Sequence, residues 1–297
     1  MNLKLMTEHQ NKLIVIAGPT AVGKTSFAIE VAQYFKTEII SCDSRQLYQE
    51  LNIGVARPDL AELNAVKHHF IASHSIYNDY NAGKYEIEVN DLLSNLFKSH
   101  QIIIMTGGTG LYIKAAIEGL DRLPPKNENL RAELNQLIQE KGISALQKKA
   151  VEMGLNTNEI EMSNPQRLIR AIEIKTNPLE EDKPIIDRNY ETHLFYINRE
   201  REDLYSRINQ RVDLMMQTGL EQEAKNLYEH RKLNALQTVG YKELFSYFDG
   251  DTTKEHAIEK IKQNSRNYAK RQLTWFRNQG KFLEIEPNLD QLLQAIS

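Results

Sequence analysis

An apolar run, Leu13 to Ala17, leads directly into Gly18-Pro19-Thr20-Ala21-Val22-Gly23-Lys24-Thr25, and helical spacing follows at Phe27, Val31 and Tyr34/Phe35. The eight residues match G-x-x-x-x-G-K-[ST] with a strand before and a helix after. This feature constrains the fold more than any other in the chain. A glycine-rich turn between a buried strand and a helix lets successive N–H groups converge on phosphate oxygens. The helix N-terminus adds partial positive charge. Lys24 adds a mobile cation, and Thr25 offers a hydroxyl suited to Mg²⁺. Phosphate binding follows; the identity of the phosphate does not, and ATP is the first expectation.

The strand–turn–helix pattern recurs. "TEIISCD" reads as a strand ending at Asp43, residues 85–99 as a helix with Ile87, Leu92, Leu93 and Leu96 on its apolar positions, and "QIIIMTGGTGLY" as a strand, glycine turn and helix. Such alternation predicts an α/β fold with a parallel sheet and ligands at the C-terminal strand ends. The pattern breaks at "DRLPPKNENL". From Leu130 to about Ile174 the chain reads helical, "KTNPLEEDKPII" is a polar, proline-punctuated exit, and residues 193–198 read as a strand again. The expected architecture is a P-loop NTPase-like parallel sheet core flanked by helices, with an inserted all-helical subdomain and a helical C-terminal region. Residues 10–122 begin the core, 123–186 are the insertion, and 187–297 complete the core and carry the basic C-terminal helices.

With 297 residues, the chain can bury a substantial core. No apolar run approaches the roughly 18 residues of a membrane helix. The N-terminal residues lack the apolar core of a secretory signal. A single cysteine, Cys42, allows no internal disulfide and reads as a small buried hydrophobe. A cytoplasmic protein is expected. The net charge of −3 does not advertise nucleic acid, but residues 254–281 hold eight Lys/Arg against two Glu. Taken alone, that stretch is a solvated helix face. His68-His69 suggests no metal site, because adjacent residues of a strand point to opposite faces.

NTP-hydrolysing P-loop proteins usually end a second apolar strand in an acid that holds Mg²⁺. Here "QIIIM" ends in Thr106-Gly107-Gly108-Thr109, and the carboxylate comes instead at Asp43. An acid beside a phosphate loop is placed to take a proton from an incoming nucleophile. A helix N-cap together with Ser44 is the alternative role for Asp43.

Several segments, in order, resemble the tRNA dimethylallyltransferases (tRNA isopentenylpyrophosphate transferases). They are "GPTAVGKT", "SCDSRQLY", "HHFI" with "YNAGKY", "GGTGLYIKA", "NPQRLIRAIEI", "INQRVDLMMQTGLEQEA", "TVGYKEL" and "NYAKRQLTWFR". The resemblance implies transfer of a dimethylallyl group from dimethylallyl diphosphate to the N6 amine of adenosine 37 in the tRNA anticodon loop. The loop would then hold a diphosphate that leaves, with Mg²⁺ on Thr25 as cofactor. Lys24 and Arg211 would face the departing charge, Asp43 would accept the amine proton, and Thr109 would hold the adenine. The resemblance also implies tRNA contacts by Asp43, Ser44, Arg45, Gln46, Thr109, Arg131, Gln166, Arg167, Leu168, Ile169, Arg170, Lys270 and Arg271. Tyr268 and Trp275 are available for packing or stacking, with core packing favoured for Trp275. A monomer is the family's default. The chain departs from the family after "RAIEI", where Asn177 stands in place of a usual glycine and the connection is short. Three rivals remain: a small-molecule P-loop kinase, an isopentenyltransferase acting on free adenine nucleotides, and a non-catalytic RNA-binding protein that keeps a phosphate loop for regulation and would not need Asp43.

Overall fold

The computed structural model describes residues 11–121, 123–156, 160–178 and 188–296. The chain divides into two compact units, 1–119 with 187–297, and 120–186. The segment 179–187, which holds most of the expected polar exit, lies outside the described residues, as do Arg122 and residues 1–10.

In the larger unit six strands form one parallel sheet. They are β1 (Lys12–Ala17), β2 (Ile39–Ser41), β3 (His68–His69), β4 (Ile102–Gly107), β5 (Glu191–Ile197) and β6 (Leu283–Ile285), in the spatial order β3-β2-β4-β1-β5-β6. Helices cover the sheet. They are α1 (Lys24–Phe35), α2 (Leu60–Ala65), α3 (Ala82–Leu96), α4 (Gly110–Ile117), α8 (Arg201–Thr218), α9 (Leu220–Leu227), α10 (Tyr241–Phe248), α11 (Lys254–Gln279) and α12 (Leu289–Ile296); α5 to α7 belong to the smaller unit. Leu13 to Ala17 are fully buried because helices lie on both faces, which is why β1 is continuously apolar rather than alternating. Its core is built from Ile14, Ile16, Phe27, Val31, Ile104, Phe195, Ile197 and Ile208.

The strand order places the chemistry. β1 and β4 are neighbours with Ala17 opposite Gly107, and β2 and β4 pair Ser41 with Thr106. The phosphate loop, Asp43 and the Gly107-Gly108-Thr109 turn therefore leave the sheet side by side at its C-terminal edge. Connections run from β1 past β4 to β2, and from β4 past β1 to β5, so the chain changes direction between these strands, where α/β sheets bind ligands.

The predicted helix over 85–99 starts and ends three residues earlier. Asn81 caps it, its Oδ1 accepting from the Gly83 and Lys84 N–H groups. Tyr85, Val89, Leu93 and Leu96 form the buried stripe, while Ile87 points outward at 62% exposure. The C-terminal β6 and α12 were not signalled by the sequence. A three-residue strand is too short to show a period.

The smaller unit packs α5 (Glu128–Lys141), α6 (Ile143–Glu152) and α7 (Pro165–Thr176) around Leu134, Leu146, Ala150, Leu168, Ile169 and Ile172. Asn164 caps α7 through the Gln166 and Arg167 N–H groups, with Pro165 at the first helical position. Asn177 ends α7 at φ −130°, so no glycine is needed there.

Candidate functional site

The phosphate loop is fixed from outside by cations. Gly18 and Gly23 sit at φ +152° and +103°, and Ala21 at +64°, so the loop turns tightly over α1. Three of the loop carbonyls meet a positive group. Lys24 Nζ donates to Pro19 O (2.7 Å), Arg207 Nε to Ala21 O (2.9 Å) and Arg199 Nε to Val22 O (2.8 Å). Arg211 donates to the Thr20 hydroxyl (3.2 Å). Gly23 has room for these guanidinium groups: a Cβ there would stand 3.7 Å from Arg199 and 3.9 Å from Arg207. Burial lowers the Lys24 ammonium to about 8, helped by repulsion from Arg211 and opposed by the Asp43 carboxylate. Burial also lowers Arg211, again opposed by Asp43. Lys24 and Arg211 are thus two buried cations beside the Asp43 carboxylate. Thr25 is the second residue of α1, at the mouth of the loop.

Asp43 follows β2. Its Oδ1 accepts from Arg45 N (2.8 Å) and Gln46 N (3.2 Å), so it caps a turn; the helix that the N-cap reading expected does not follow. Its charge also reaches Lys24 and Arg211. Thr109 is the N-cap residue of α4 but makes no side-chain cap. Its Oγ1 instead accepts from Ser44 N (3.1 Å) and donates to Ser44 Oγ (3.3 Å), which ties the turn after β4 to the turn after β2. Tyr268 of α11 stands beside Thr109, and burial, then Asp43, raises its phenol to about 12. Arg45 donates to the Asn234 and Ala235 carbonyls (2.9 and 3.1 Å), and Gln46 to those of Val55 and Ala56 (3.2 and 2.9 Å). Both side chains thus lock the walls around Asp43.

Lys270 and Arg271 are exposed on α11 and line a surface hollow with Thr274 and Trp275. Trp275 is half-buried, its ring against Gly110 and beside Phe276 and Phe282. Cys42 is fully buried, and its thiol is pushed up by burial.

Two expected RNA contacts in the smaller unit are corrected. Leu168 and Ile169 are core residues of the helical unit, at 0% and 1% exposure, and their side chains cannot meet RNA. They fall on the inward side of α7, while Gln166 and Arg167 are exposed. Arg131 makes a bidentate pair with Glu173 (2.6 Å twice), and Arg170 joins the same carboxylate (3.2 Å) and the Pro124 carbonyl (2.8 Å). Glu173 is 1% exposed and held at about 2, mainly by Arg131.

The chain matches the IPP transferase family over residues 46–279. It is similar to a tRNA dimethylallyltransferase of Christiangramia forsetii, 47% identical over 96% of this chain and 97% of that protein. One of Flavobacterium johnsoniae is 44% identical over 96% of both chains. Among solved structures, the full-length tRNA isopentenylpyrophosphate transferase of Bacillus halodurans superposes with a TM-score of 0.71 at 34% identity, covering 97% of this chain and 94% of the other. A eukaryotic dimethylallyltransferase acting on tRNA gives 0.72 at 25% identity, covering 95% of this chain and 75% of that one. The comparisons cover the site as well as the sheet, and the chain belongs to the IPP transferase family, the tRNA dimethylallyltransferases.

Proposed function

We propose that the chain transfers the dimethylallyl group of dimethylallyl diphosphate to N6 of tRNA adenosine 37 with the division of labour that follows. The observation that carries it is the shared edge of β1, β2 and β4, where the phosphate loop, the Asp43 carboxylate and the Gly107-Gly108-Thr109 turn adjoin.

The loop from Gly18 to Thr25 holds the diphosphate. Breaking the allylic C–O bond leaves positive charge on carbon and builds negative charge on oxygen. Lys24, Arg211 and the loop N–H groups face that growing charge and stabilise it more than they stabilise the intact ester. Mg²⁺ fits this donor set. Such an ion takes one or two protein oxygens and several phosphate oxygens, and Thr25 supplies the hydroxyl. Among the described residues no group of three His, Cys, Asp or Glu forms an all-protein cage. When bound, the ion would neutralise part of the diphosphate charge.

The adenine amine is a poor nucleophile because its lone pair is shared with the ring. Asp43 accepts its proton as the N6–C bond forms. Thr109 and Tyr268 hold the base edge, and Ser44 faces the neighbouring nucleotide, on a turn whose walls Arg45 and Gln46 brace through the carbonyls of Asn234, Ala235, Val55 and Ala56. The target base must leave its stack to reach this depth. Exposed Lys270, Arg271, Gln166 and Arg167 contact phosphates, and Arg131 and Arg170 shape the surface of the smaller unit through Glu173. Among the described residues no helix is long and apolar enough to cross a membrane. A monomer working on tRNA in the cytoplasm completes the reading.

The test is label transfer from dimethylallyl diphosphate, with Mg²⁺, to unmodified tRNA or to AMP. Labelled tRNA alone is the expected result. Labelled AMP would assign the chain to free nucleotides, and ATP consumption without transfer would overturn the reading.

A further inference from the structure

We propose that Gln272 is a positioning residue that sets the spacing between the diphosphate loop and the adenine turn; this rests on the donor and acceptor assignments above. Gln272 lies on α11, a third element distant from both halves in sequence, and is 6% exposed. Its Oε1 accepts from Thr20 N (3.0 Å), and its Nε2 donates to Gly108 O (2.8 Å). The orientation of the amide follows from its partners, since an N–H needs the acceptor and a carbonyl needs the donor.

The surroundings leave little slack. A Cβ on Gly108 would stand 2.1 Å from Gln272 Nε2 and 3.2 Å from Gly18 O, so the two turns touch and the amide seals their junction. Thr20 is gripped again at its hydroxyl by Arg211. One helical turn before Gln272, Tyr268 stands beside Thr109. A single helix face therefore supports both the group that leaves and the base that attacks. Gln272 touches neither reacting atom. It acts through Thr20 and Gly108, by keeping C1 of the donor within attack distance of the amine. Misplacement by about 1 Å costs on the order of 100-fold in rate.

Gln272→Met keeps the shape and removes both hydrogen bonds. The expected result is a kcat lower by roughly 10- to 100-fold, with KM for each substrate within about threefold of wild type. Gln272→Glu keeps the acceptor for Thr20, loses the donor for Gly108, and is expected to lose kcat as well. A folded variant of either kind with near-normal kcat, or with its loss confined to KM, overturns the proposal. A third reading uses the unmodified enzyme: the Thr20 amide is expected to be protected from hydrogen exchange without any ligand, and rapid exchange overturns the proposal even if neither variant folds. Wild-type label transfer separates the two levels. Its absence refutes the reaction, whereas normal transfer with a normal Gln272→Met enzyme refutes only the role of Gln272.

Discussion

Replacing Asp43 by Asn separates its two roles. Oδ1 accepts from the Arg45 and Gln46 N–H groups, and an asparagine carbonyl can accept both, so the turn survives. What is lost is the ability to take the amine proton. General-base catalysis contributes about 10²- to 10⁴-fold, which is roughly 3–5 kcal/mol on the barrier. Turnover is expected to fall by that factor. KM for dimethylallyl diphosphate is expected to hold or fall, because a negative charge leaves the neighbourhood of Lys24 and Arg211. The melting temperature is expected to stay within about 4 °C, since a change of about 1 kcal/mol moves a domain of this size by roughly 2–4 °C. Asp43→Ala, by contrast, also loses two turn bonds worth about 1 kcal/mol each. The assay is label transfer to tRNA at pH 7 under saturating donor, with thermal unfolding in parallel. An Asn variant that turns over within about threefold of wild type would show that Asp43 does not take the proton.

Lys24 titrates near 8 in the free protein, below its unfolded value of 10.5. Between those values the folded chain binds fewer protons than the unfolded one, so its contribution to stability rises with pH across that window. Donor affinity runs the other way, falling about tenfold per pH unit above about 8 as the ammonium is lost; a flat donor KM from pH 7 to 9.5 refutes this. Glu173 titrates below its unfolded value of 4.5, at about 2. Its stabilising contribution, about 3 kcal/mol, is present above 4.5 and lost as pH falls toward 2. Glu173→Gln breaks the pair with Arg131 and is expected to cost the helical unit about 3–5 kcal/mol, read as faster amide exchange in α5 and α7; unchanged exchange contradicts it.

The eight-residue loop was legible because every group it needs is contiguous, and β1 because burial on both faces writes an unbroken apolar run. Asp43 and Thr109 were legible as strand-end residues within motifs. Leu168 and Ile169 were misassigned because a motif was carried over as a block, although a helix turns each successive side chain by about 100°. The clasp of Arg199 and Arg207 on the loop spans 177 and 186 residues, and that of Gln272 spans 252. A pairing across such distances is made by the sheet order and leaves no local period in the sequence. The same holds for Glu173, whose acidic side chain reads as a solvated helix residue until Arg131 and Arg170 close on it.

The clasped loop has a consequence for turnover. Its Pro19, Ala21 and Val22 carbonyls are tied to Lys24, Arg207 and Arg199, and its Thr20 N–H to Gln272, so the loop holds its shape before any ligand arrives. Nothing in that clasp loosens when the allylic bond breaks. Free diphosphate carries more negative charge than its ester, so the same groups retain the product at least as firmly as the substrate. Slow release of diphosphate is the expected outcome, read as a burst of label transfer followed by a slower steady state; a linear time course from the first turnover refutes it.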